Sequence, residues 1–109
     1  MTRLYPMRRI LLATLLLQTS SAFPGDALGN AYFLCDLFEK TGVSTECNPS
    51  DVMSTVDVII KTDAGEAAKV CSVIANNMAQ KGRSFGGQWQ LRIFAPDRAD
   101  EPLAACALR

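Results

Sequence analysis

The chain has 109 residues, with eleven Lys and Arg against eleven Asp and Glu and no histidine. Without imidazole it lacks the commonest metal ligand, the usual general base and the side chain that titrates near neutrality. Its four Cys show no CxxC spacing, so a thioredoxin-like redox pair and a zinc knuckle are also unsupported.

Residues 1–22 carry the clearest signal. Arg3, Arg8 and Arg9 precede a run over 10–17 that is apolar apart from Thr14, and Ser20-Ser21-Ala22 follows. This is the pattern of a secretory signal peptide cut after Ala22. The apolar run is well short of the roughly 20 residues that span a bilayer, and no Cys follows it to take a lipid. An uncleaved anchor is the competing reading. The mature chain, 23–109, is expected to form one exported domain, periplasmic or secreted, with no membrane contact after signal removal. It holds eight Lys and Arg against eleven Asp and Glu. A net charge near −3 gives no electrostatic reason to bind nucleic acid or an anionic membrane. A domain this small buries only around 60–65% of its unfolded surface, so its core needs staples. In an oxidising compartment Cys35, Cys47, Cys71 and Cys106 supply them.

A first helix is predicted from about Ala27, with Leu28, Ala31, Cys35 and Phe38 on one stripe, stopping at Gly42. A short strand is expected over 43–47, and Asn48-Pro49-Ser50-Asp51 reads as a turn. Over 54–62, Val56, Val58 and Ile60 alternate with polar residues, Ile59 being the apolar exception, which predicts a strand with one wet face. Thr62-Asp63 caps a second helix with Ala67, Cys71, Ile74 and Met78 inward, ending at Gly82. Strands follow over 88–94, with Trp89, Leu91 and Ile93 inward, and over 103–108. The expected fold is α+β: a small two-layer sandwich in the order αββαββ, with two helices on one face of an antiparallel sheet. Element order and Cys placement also suggest two similar halves.

Four Cys allow three pairings. Chain proximity favours Cys35 with Cys47 and Cys71 with Cys106, although the first pair carries a mismatch. Counted from Gly42, Cys35 lies about 10 Å up the helix and Cys47 about 17 Å along a strand. The main rival set joins Cys35 to Cys71 and Cys47 to Cys106.

The segment least like plain scaffold is 81–89. Lys81, Arg83, Phe85 and Trp89 combine cations and aromatics with three glycines, a composition able to grip an anionic or peptide ligand. The plainer reading makes Gly82 a helix stop, Gly86-Gly87 a bend, and Phe85 and Trp89 core. Ser84 beside Lys81 is a conceivable nucleophile and base but sits in no catalytic motif. On the wet sheet face, Asp57 and Lys61 are expected near Arg92, with Ile59 and Phe94 as apolar contacts for a partner. No catalytic residue, metal or cofactor is assigned. The function these features favour is non-catalytic binding of an unknown protein or small ligand, with Lys81, Arg83, Phe85, Trp89 and Arg92 as candidate contacts. The alternatives are a secreted inhibitor or effector acting through 81–89, and a small hydrolase.

Overall fold

The computed structural model describes residues 26–109. The signal-peptide reading of 1–22 lies outside the described residues. Six elements follow in chain order: α1 (Asp26–Thr41), β1 (Glu46–Ser50), β2 (Thr55–Ile59), α2 (Ala64–Gln80), β3 (Trp89–Phe94) and β4 (Ala104–Leu108). The four strands form one sheet in the order β1-β2-β3-β4.

The helix ends follow from local chemistry. Gly42, at φ 72°, adopts the left-handed conformation that closes α1, and its N–H donates to the Phe38 and Glu39 carbonyls at 3.1 and 3.2 Å. At the start of α2 the Asp63 carboxylate accepts from the Glu66 N–H at 2.8 Å, satisfying one of the unpaired first-turn donors. The α2 end is a Schellman motif, in which the Gly82 N–H reaches the Ala79 carbonyl at 3.0 Å and the Arg83 N–H reaches Met78 at 2.9 Å.

Two expectations need correction. The sheet is mixed: β1–β2 and β3–β4 are antiparallel, but β2 and β3 are parallel, with Val58 opposite Ile93. The cause is the connection, because a crossover through α2 returns the chain to the same end of the sheet before β3 starts. The first strand also lies later than predicted, and Asn48-Pro49-Ser50 is strand rather than turn. Proline lacks the N–H for a central ladder, but β1 is an edge strand, where that loss is tolerated. The turn falls instead at 51–54, and Ser54 takes φ 56° there.

Register determines which face is covered. Cys47, Val58, Ile93 and Ala104 form one cross-sheet row, and Pro49, Val56, Leu91 and Cys106 the next. All eight project to the same side, so both helices lie on that side of the sheet. Val56, Val58, Leu91 and Ile93 are fully buried beneath them, together with Ala31, Leu34, Phe38, Ala67, Cys71 and Met78. Cys35 is bonded to Cys47 and Cys71 to Cys106, with Cα separations of 5.4 and 6.0 Å. The axial mismatch at the first pair vanishes because residues 42–45 form a turn and bend instead of climbing as strand. The two halves are not spatial copies, since the bridged strand is the first of its half on one side and the second on the other.

Candidate functional site

Each helix covers one half of the same sheet face: α1 packs on β1 and β2, and α2 on β3 and β4. Between them lies a groove of about 320 Å³. Its α1 wall is Leu34, Leu37 and Phe38, its α2 wall is Val70, Ile74 and Met78, and Val43 adds an apolar edge. The polar lining is limited to Thr41, Asn77 and Lys81. The helical period explains this double use of the apolar residues. Ala67, Cys71 and Met78 point α2 into the core, while Val70 and Ile74 stand to one side of that line and remain half-buried. Arg83, just past α2, reaches residues in the first half of α1, so the two helices run in opposite directions along the groove.

The segment after α2 is clasped against α1. The Arg83 guanidinium lies 3.8 Å from the Phe33 ring centroid and donates to Asn30 Oδ1 at 3.4 Å, a cation–π contact with one long hydrogen bond. Asn30 is buried and its Nδ2 donates to the Ser84 carbonyl at 2.7 Å. Phe85 is buried, its ring centroid 5.8 Å from that of Trp89, and its N–H donates to the Arg109 carbonyl at 2.9 Å. Gly86 and Gly87, at φ 77° and 90°, turn the chain into β3 through backbone that L side chains rarely adopt. The Ser84 hydroxyl accepts from the Gly86 N–H at 3.4 Å.

The five candidate contacts therefore occupy separate places. Lys81 is exposed and lines the groove. Arg83 is held on α1, and Phe85 and Trp89 belong to the core. Arg92 lies on the opposite, uncovered sheet face, where its Nε and Nη2 donate to the two carboxylate oxygens of Asp57, each at 2.7 Å. Hydrogen bonding to Asp57 raises the Arg92 pKa above its ordinary value; desolvation opposes this and the Asp57 charge adds to it. The same guanidinium sits 5.4 Å from the Phe94 ring centroid, and Ile59 is paired with Phe94 across the strands.

Of the groove residues, Phe38, Ile74 and Met78 were expected as inward core positions, and Leu37 was not singled out; an apolar side chain beside the inward stripe is the only signal the sequence carries for it. Among the described residues no cluster of His, Cys, Asp or Glu is arranged to hold a metal, and no helix is long and apolar enough to cross a membrane. No protein-family model matches the chain, and neither a curated protein nor a solved structure shows significant similarity to it.

Proposed function

We propose that the chain is an exported, non-catalytic binding module, working in the periplasm or outside the cell after loss of residues 1–22, and that it takes a small apolar ligand between its helices. The observation that carries this reading is the groove itself, whose walls are six apolar side chains from two helices. Its volume falls at the lower end of small-molecule sites, which are concave, mostly apolar and edged by a few polar groups; Thr41, Asn77 and Lys81 are such groups here. Both disulfides are formed, which suits an oxidising compartment. Action through residues 81–89 on a target's cleft has less support, because Phe85 and Trp89 are already committed to the core.

The test is titration of the oxidised protein with the neutral fluorescent probe N-phenyl-1-naphthylamine. Saturable enhancement at one probe per chain is expected, with loss in Ile74→Trp, where the indole fills the groove, and retention in Asp57→Asn on the far face. Absence of saturable binding, or equal binding by Ile74→Trp, would overturn the reading.

A further inference from the structure

The two edges of the sheet are built differently. Strand β1 carries Pro49 and Glu46, two of the devices that keep an edge from recruiting another strand. Strand β4, Ala104-Ala105-Cys106-Ala107-Leu108, holds neither a charge nor a proline, and among the described residues nothing pairs with its outer side. Its openness shows in its burial: Cys106 shares a row with Leu91 and Val56, both 0% exposed, yet is itself only half-buried under α2. A second groove, of about 200 Å³, runs along this edge between Cys106 and the α2 side chains Ser72, Ala75, Asn76 and Ala79.

We infer that β4 pairs with β4 of a second copy of this chain, antiparallel and centred on Cys106, joining two sheets into one of eight strands. Self-pairing about Cys106 sets Ala105 opposite Ala107 of the other copy and Ala104 opposite Leu108, so no like charges face each other along the strand. The same operation brings Arg109 toward the end of the partner strand that follows Asp100 and Glu101, placing opposite charges near one another. Helix geometry fits as well. Paired strands lie about 4.8 Å apart, and α2, bonded to β4 through Cys71, packs on β3 as well as β4, so its axis is set back from the edge strand toward the β3–β4 seam. The two α2 helices then approach to about 10 Å, a spacing at which helices pack through short side chains. Ser72, Ala75 and Ala79 are the residues that would meet there, and they close the second groove. The pairing closes on itself as a two-fold dimer, and the Pro49-bearing edge is left out, which stops growth into a filament. The groove between α1 and α2 lies on the other flank of α2 and stays open, so this inference does not depend on the ligand reading.

Sedimentation equilibrium of the oxidised protein between 10 µM and 1 mM tests it. A dimer is expected. Ala105 and Ala107 point to the uncovered face and are exposed, so the monomer accommodates changes at both. In Ala105→Glu/Ala107→Glu the carboxylate introduced at each position 105 faces the one introduced at position 107 of the other copy, and the dimer dissociation constant should rise about tenfold. In Ala105→Glu/Ala107→Lys the facing side chains attract, and the dimer should persist. A wild-type protein that stays monomeric at 1 mM overturns the inference, as does a dimer indifferent to the doubly acidic substitution.

Discussion

Asp57 and Arg92 face each other across the parallel seam of the sheet, joined by two hydrogen bonds of 2.7 Å in a fork-to-fork arrangement. Their side chains are 29% and 28% exposed. The pair is therefore more sheltered than the surface ion pairs that contribute under about 1 kcal/mol, while its bidentate geometry is the stronger kind. A double-mutant cycle with Asp57→Ala and Arg92→Ala, read by urea denaturation, should give a coupling of about 1 kcal/mol. A coupling indistinguishable from zero contradicts this assignment.

The pH response should be flat near neutrality. Because the folded Arg92 pKa is raised above the ordinary guanidinium value, its contribution is fully present below the unfolded pKa and disappears only as pH rises through the higher folded value. That window lies far above the physiological range. The chain has no histidine to titrate between about pH 5 and 8. The urea midpoint should therefore change little between about pH 6 and 9, and a sigmoidal step within that interval would count against it.

Removing the disulfides should rank them by loop length. Cys71–Cys106 closes 35 residues and Cys35–Cys47 closes 12, so chain entropy assigns about 4 kcal/mol to the first and about 3 to the second. Cys71→Ala/Cys106→Ala should lower stability more than Cys35→Ala/Cys47→Ala. Chemical denaturation of the two double variants checks the order, and the reverse order would refute the entropic account here.

Asn30 fastens the segment that follows α2. Replacing it with Leu leaves the Ser84 carbonyl without its donor and should cost about 1–3 kcal/mol. Asn30→Asp should also destabilise, because a carboxylate oxygen then faces the Ser84 carbonyl with no proton between them, while the contact with Arg83 remains. Limited proteolysis should cut both variants within 81–89 sooner than the parent. Equal cutting rates would show that Phe85 and Trp89 hold the segment unaided.

Helices and inner strands were legible because each had a period and a stop. The Ala31, Cys35 and Phe38 spacing with Gly42, and the Val56-Val58 alternation, each point to one local structure; chain proximity favoured the two bridges that are formed but left the rival set open. The direction of β3 was not legible from pattern, since alternation in Trp89, Leu91 and Ile93 is the same for parallel and antiparallel pairing. Pro49 misled for a related reason: its exclusion from a ladder holds for inner strands, and edge position is a tertiary property. Of the site, Lys81 was picked out for its charge and lies at the groove, whereas Leu37, Val70 and Ile74 look the same in sequence whether they meet sheet or a cleft.

Each disulfide joins a helix to the outer strand on its own side, Cys35 of α1 to β1 and Cys71 of α2 to β4, and neither crosses the middle of the sheet. The covalent braces thus tie each helix to its own edge of the sheet, and the middle, where β2 runs beside β3, is held without them, by the strand ladder, by the buried Val56, Val58, Leu91 and Ile93, and by the Asp57–Arg92 pair.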